Sequence, residues 1–327
     1  MKLPVFQTFS NALGFAFSNF FTCFRLAWLP FTLLFAVHET LQWFIAHEFE
    51  GKFPMTDVVN HKNPVAIFQF VFDVWSRFAS VELAMLFLQA LVIAAVAVSI
   101  HRVILFGERR EGSVLNFAFG KTEFLYMLMA ASMALIALSL LGSFLVPAVY
   151  VASNGNFETF FSQFSDFPNN MERFVRSGQF GILMFAYAAA WLLVIFVSVR
   201  LAVWPPSVVA TGSLSPSEPW NLMRGNVLRF IGMLIVTLFF VWIIMACIGV
   251  VFMTSGGLEA VKGLQMLEHQ NPFEMRRHMQ ETMLPYLPVI FVVGLIVYIF
   301  MTSFAVALIS YSYKALRGYD AASPITA

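Results

Sequence analysis

The sequence predicts an all-α, polytopic membrane protein: a bundle of six transmembrane helices with amphipathic interfacial helices. Three observations predict it. The first is the spacing of charge. No Asp, Glu, Lys or Arg falls between Glu123 and Glu158, and further long uncharged runs lie between Glu82 and Arg102, Arg176 and Arg200, Arg229 and Glu259, and Glu281 and Lys314. A sixth apolar segment follows Arg25. Crossing about 30 Å of hydrocarbon takes about 20 apolar helical residues, so each run is long enough. The second is composition. The chain is 60% hydrophobic and 11% charged, where a soluble domain carries about 25% charged residues. The third is a pattern repeated along the chain, three units of two spans each.

In that pattern the whole chain, 1–327, is a single membrane domain divided into units 1–106, 107–205 and 206–327. Each unit has an inner amphipathic segment, an outward span, an outer helix and a return span. The entry segments begin Asn19-Phe20, Glu123-Phe124 and Arg229-Phe230. The return spans all end on basic residues, at Arg102, at Arg200 and at Lys314 with Arg317. Internal repeats of this kind are common in membrane proteins.

The elements follow in order. Phe6, Phe9, Phe17, Phe20, Phe21 and Phe24 are expected in the inner interface, with Pro30 marking a bend before the first span. Asn63-Pro64 opens an outer helix, an N-cap residue followed by proline at the first helical position. Phe68, Val71, Phe72, Trp75 and Phe78 fall on one of its faces. Asn156 is a cap for a second outer helix, and Asn271-Pro272 opens a third, in which Glu274 with His278 and Arg277 with Glu281 stand four apart. Helices of this composition lie in an interface, apolar face down. On the inner face, Ser215-Pro216-Ser217-Glu218 has the form of a capping box. It leads into a helix with Trp220, Met223 and Val227 on one face. Ala90/Ala94, Ala130/Ala134 and Ala186/Ala190 are small-residue pairs that permit close helix approach.

Orientation follows from the basic residues. With the N-terminus inside, eleven of the 19 lysines and arginines fall on inner segments, and the outer loops are the more acidic. The positive-inside rule therefore favours cytoplasmic N- and C-termini. No short apolar core with a cleavage site follows Lys2, so the first span itself is expected to drive insertion. Cys23 and Cys247 fall at opposite depths and read as small apolar residues.

Several chemistries are not written in the chain. A net charge of +1 argues against a nucleic-acid partner. His38 and His47, and His269 and His278, are spaced to point to opposite helix faces, so no metal site is expected. There is no HExxH, GxSxG, Walker A or GxGxxG pattern, and no cofactor or enzymatic activity is expected.

Two groups of residues remain as candidates. His38 and Glu39 are adjacent ionisable residues about 20 Å along a helix that starts near Arg25. Inside a membrane such a pair is a functional candidate for ion or proton coupling, with Glu82 or His47 as partner. If the span starts a turn earlier, the pair reaches the outer interface. The second group is Arg102, Arg200 and Arg224, with Arg109, Arg110 and Arg229 on the same face. Arginine binds phosphate bidentately, and basic pockets at the cytoplasmic side of bundles take anionic headgroups. The plainer reading is that these arginines obey the positive-inside rule and snorkel.

One stretch resembles a known pattern. Arg200-Leu-Ala-Val-Trp-Pro-Pro-Ser-Val-Val, the helix from Ser215 to Glu218 and Trp220-Asn-Leu-Met-Arg-Gly-Asn resemble poorly characterised six-helix bacterial inner-membrane proteins, including the membrane domain fused to some glycerophosphodiester phosphodiesterases. Arg200, Pro205, Pro206 and Arg224 carry the match, whereas Thr211 stands where that family usually has an acidic residue. The resemblance implies a bacterial inner-membrane location and a lipid-related role. It implies no phosphodiesterase activity, since no catalytic domain is present.

The expected function is that of a non-enzymatic scaffold or accessory protein contacting membrane phospholipid through Arg102, Arg200 and Arg224. A second copy of the chain or a larger membrane complex is the protein partner left open. The alternative is a small transporter or channel working through His38 and Glu39.

Overall fold

The structure is a computed structural model that describes residues 1–49, 64–108, 119–152, 178–254, 287–321 and 323–325. These residues form helices and connecting turns, with no strand among them. The helices are α1 (Val5–Ser18), α2 (Phe20–Phe49), α3 (Pro64–Phe106), α4 (Lys121–Ala152), α5 (Gly178–Arg200), α6 (Trp204–Thr211), α7 (Ser217–Leu222), α8 (Val227–Phe252) and α9 (Leu287–Arg317). Six segments are long and apolar enough to cross a membrane: Phe20–Leu41, Val81–Phe106, Lys121–Val151, Phe180–Thr211, Val227–Val251 and Phe291–Arg317. The protein is a polytopic helical membrane protein.

Its surface agrees with lipid as the solvent. α8 leaves Ile235, Leu238, Phe239 and Trp242 exposed, and α5 leaves Phe185 and Leu192 exposed. Contiguous apolar surface of this extent marks a face that contacts something other than water. Three buried hydroxyls of α9 are satisfied within their own helix. Ser303, Ser310 and Ser312 donate to the carbonyls of Ile299, Val306 and Leu308 at 2.7–2.8 Å, as a hydrocarbon environment requires of polar groups.

The chain forms two compact units. The first contains Met1–Phe53, Ala95–Ala118 and Arg224–Ala327; the second contains Pro54–Ala94 and Phe119–Met223. Both draw on separated stretches, so they cut across the three sequence repeats.

In the first unit, aromatic side chains line α9 and receive α1 and α2. Phe9 meets Phe304 edge-on at 5.4 Å and Phe240 of α8 at 5.8 Å. Phe31 and Phe35 of α2 meet Tyr298 and Phe291 at 4.7 and 4.9 Å, and Phe15 meets Tyr311 at 6.4 Å. Each such pair contributes about 0.5–1.5 kcal/mol beyond the area it buries. Thr8, Ala12, Phe15 and Ala16 form the buried side of α1, while Phe6 and Phe17 are exposed. Cys23 is buried and Cys247 exposed, and both are free thiols.

In the second unit, α4 lies along α5. Met133, Ile136, Ala137 and Leu140 face Val194, Val197, Ser198 and Leu201 with hardly a void between them. Ala190 is buried, whereas Ala130 and Ala134 are exposed, so that small-residue pair does not serve this contact.

Four local expectations change. Pro30 does not stand before the first span; it sits inside the continuous α2 and inside the span Phe20–Leu41. Proline is carried there because its lost hydrogen bond is compensated locally in a membrane helix, and Pro147 is carried inside α4 in the same way. The helix opening at Pro64 is not a separate outer element. It is the first part of the 43-residue α3, about 64 Å long. The Ser215 capping box does not start its helix either: α7 begins at Ser217, and no side chain caps it. Val227 does not continue that helix, because Gly225 has φ 80° and Asn226 starts α8 as its N-cap. The apolar face of Phe68–Phe78 and the helices expected after Asn156 and Asn271 lie outside the described side chains and residues.

Candidate functional site

Among the described residues, each unit has a group of polar side chains at a helix end. In the second unit the group is built on the end of α5. Arg200 closes that helix, and a short turn leads into α6, whose first turn holds Pro205 and Pro206. The chain then reverses through Gly212 and enters α7. This places Trp220 over Arg200, with the guanidinium carbon 4.4 Å from the ring centroid. Phe196, one turn back on α5, meets the same ring edge-on at 6.4 Å. The Ser207 hydroxyl donates to Glu218 Oε2 at 3.0 Å and so ties α6 to α7. The carboxylate expected to cap the helix is spent on that bond. Arg200 Nε and Trp204 Nε1 are shielded and make no hydrogen bond among the described residues.

A capping interaction that the sequence reading did not foresee starts α4. Glu123 Oε2 accepts the Gly120 backbone N–H at 3.0 Å, the returning half of a capping box. Its other oxygen is buried and makes no hydrogen bond within the chain.

In the first unit the group is a polar cleft. Along α1 and its two caps, Pro4, the pair Gln7 and Thr8, Asn11, Phe15 and Asn19 follow at steps of three or four residues and line it. Its opposite wall is the end of α9 from Tyr311 to Gly318, together with the tail that follows. The cleft has two chambers, of about 520 and about 290 Å³, and Tyr311, Lys314 and Ala321 line both. Lys2, Thr8, Asn11 and Asp320 line the larger; Val103, Ile104 and Gly107 of the α3 end line the smaller.

Lys314 stands between the chambers, 1% exposed. Its Nζ donates to Ser323 O at 2.6 Å and Ala321 O at 2.8 Å, with a longer contact to Ile104 O at 3.5 Å. Asp320 is the carboxylate whose field acts on it. The tail is also pinned by Ile325 N–H, which donates to Leu105 O at 2.6 Å. Gly107 N–H donates to Val103 O at 3.1 Å. Three of the last four carbonyls of α3, those of Val103, Ile104 and Leu105, normally orphaned at a helix end, therefore have protein donors. Deeper in the same unit, the wholly buried His101 has Nδ1 at 2.7 Å from Ser310 Oγ.

The residues expected to act are placed as follows. α2 begins at Phe20, before Arg25, so His38 and Glu39 lie about 27–29 Å along the helix. Their side chains are 42% and 56% exposed, with Nδ1 and Oε1 3.5 Å apart. Glu82 is exposed, and the side chain of His47 lies outside the described set. Arg102 is half-buried and Arg224 exposed. Both belong to the first unit, and neither lines its cleft. Arg200 belongs to the second unit and is stacked on Trp220. Arg109, Arg110, His269 and His278 lie outside the described residues. Among the described residues no group of three His, Cys, Asp or Glu side chains could hold a metal ion.

Lys2, Asn11 and Lys314 were not singled out as a site by sequence. The readable trace was the stripe Gln7, Asn11 and Asn19 on an otherwise apolar helix.

No family model, curated protein or solved structure matches the chain.

Proposed function

We propose that the protein is a non-enzymatic scaffold or accessory protein of the bacterial inner membrane, with cytoplasmic termini, that holds phospholipid at its inner face. Arg200, Arg102 and Arg224 are its headgroup contacts. The observation that carries this reading is Arg200 stacked on Trp220. A tryptophan at a span end is an interfacial anchor. The ring orients the guanidinium, whose planar fork suits a phosphate. The resemblance of the stretch from Arg200 to Arg224 to six-helix inner-membrane proteins supports the same reading.

The test is native mass spectrometry of protein extracted gently from its own membrane. A stoichiometric anionic lipid is expected on the wild type and lost from the Arg200→Gln, Arg224→Gln double variant. Equal retention by both proteins would remove the proposal. A stoichiometric second polypeptide would identify the accessory role.

A second reading has one observation behind it. His38 and Glu39 pair at 3.5 Å within the candidate span Phe20–Leu41. Ion-coupled flux through that pair would make the protein a small transporter or channel. Flux into liposomes that is unchanged by His38→Ala would dismiss it.

A further inference from the structure

The cleft of the first unit has the properties of a binding site that the arginine reading leaves unused. Its larger chamber, about 520 Å³, is open and lined by Lys2, Gln7, Thr8, Asn11 and Tyr311, with Lys314 at its back. Two lysines face one aspartate across it. The helix ends that meet here do not cancel that positive balance. The α3 carbonyls already take the Gly107 and Ile325 amides and the Lys314 ammonium. At the end of α9, Gly318 and Tyr319 amides donate to Ala315 O and Lys314 O. Carbonyl partners satisfy the donors of Lys314 but leave its charge in place. A buried charge is costly unless counter-charge reaches it, and the one carboxylate in the lining, Asp320, is set against both Lys314 and Lys2. The open chamber gives an anion that access, and the neutral donors of Asn11, Gln7 and Tyr311 surround its path.

We infer that this cleft binds a phosphate-bearing anion, with Lys314 as the fixed charge at its back and Lys2 as the cation at its mouth. The phosphate comes from a lipid headgroup or from a soluble phosphate compound. The wall of the cleft favours the first source. α1 leaves Phe6 and Phe17 largely exposed, Phe17 resting with one edge of its surface on Phe300 of α9, the form of a helix seated in a membrane interface. A lipid on that interface would bring its phosphate to the mouth. As to source only, the inference rests on the lipid-contact reading; the site itself is separate from Arg102, Arg200 and Arg224.

The experiment uses the full chain in phosphatidylcholine nanodiscs, with phosphatidic acid added as the lipid probe and inorganic phosphate as the soluble probe. The variant is Lys2→Gln with Asn11→Leu, which leaves the Lys314 clamp intact; thermal unfolding identical to wild type verifies its fold. Retention of phosphatidic acid, read by native mass spectrometry, should fall about tenfold, as expected for loss of a charged hydrogen-bond partner. Arg200→Gln should not change binding at the cleft. If inorganic phosphate binds, and the double variant weakens it while no lipid is retained, the site stands with a soluble ligand and the lipid-contact reading fails. If the arginine variants lose lipid and the cleft variant binds both probes like wild type, the cleft inference is overturned and the lipid-contact reading survives. Binding of neither probe to the wild type overturns the inference as well.

Discussion

His101 Nδ1 stands 2.7 Å from Ser310 Oγ, a hydrogen bond that joins α3 and α9 in the first unit. Ser310 Oγ also lies 2.8 Å from Val306 O. Serine has one proton to give, so with that proton on Val306 O the imidazole is the donor, through Nδ1. Nitrogen NMR of protein labelled at histidine should show the Nδ1–H tautomer for His101. Ser310→Ala removes the acceptor and leaves a buried N–H, which costs about 1–3 kcal/mol. Replacing both residues by apolar ones should recover part of that loss, because no unpaired donor then remains. Additive losses in the double variant would show that the two side chains do not act as a pair.

Lys314→Met should release the tail. The methionine keeps the apolar stem packed and removes the bonds to Ala321 O and Ser323 O. A hydrogen bond to a charged group is worth about 1.5–3 kcal/mol. The bond from Ile325 to Leu105 would remain to hold the end of the segment. Limited proteolysis should cut between Asp320 and Ile325 faster than in wild type, with the helical circular dichroism preserved. Equal cleavage rates would mean that the lysine does not anchor the strap.

The spans were legible because their signal is summed over twenty or more residues each. The intervals between Glu82 and Arg102 and between Arg229 and Glu259 lie within, or close to, the helices that formed. Signals of one or two residues were less reliable. Pro30 was expected at a bend before the first span, yet it lies inside that span, within a helix that stays continuous, because a helix in hydrocarbon has no water to take over its carbonyls. Ser215 and Glu218 had the spacing of a cap, but Ser207 of another helix took the carboxylate. Arg200 was singled out by its place at a span end, while its stacking on Trp220 depends on how the chain turns through Gly212. The cleft was not legible, because Lys2, Asn11 and Lys314 are brought together only when the two ends of the chain pack against each other.

Gly318→Ala tests how the last helix stops. Gly318 has φ 79°, a left-handed conformation that an L side chain resists. A Cβ there would also come within 2.6 Å of Met1 Cε and 2.9 Å of its sulfur. The methionine tip is flexible and can move aside, so the backbone term remains. The expected loss is about 1 kcal/mol, read as a lower midpoint of thermal unfolding in detergent. Gly318→Asn should cost less, since asparagine tolerates that region. If alanine and asparagine both match wild type, the helix ends in a different conformation.

Arg200→Lys separates charge from shape at the second unit. Lysine keeps the positive charge at the end of α5 but lacks the planar group that lies 4.4 Å over Trp220. A cation over an aromatic ring at an accessible site is worth about 0.5–1 kcal/mol, and a phosphate meets arginine through two parallel donors. If Arg200 works only by obeying the positive-inside rule, the lysine variant should retain lipid as well as wild type. If the stacked fork holds a headgroup, lysine should lose the stoichiometric lipid while still inserting in the same orientation. Trp220→Leu should reproduce that loss with the charge untouched, because the guanidinium then has no ring to orient it. Native mass spectrometry of the three proteins from one membrane reads all of these outcomes. Retention by Arg200→Lys and Trp220→Leu equal to wild type would reduce Arg200 to a topological charge.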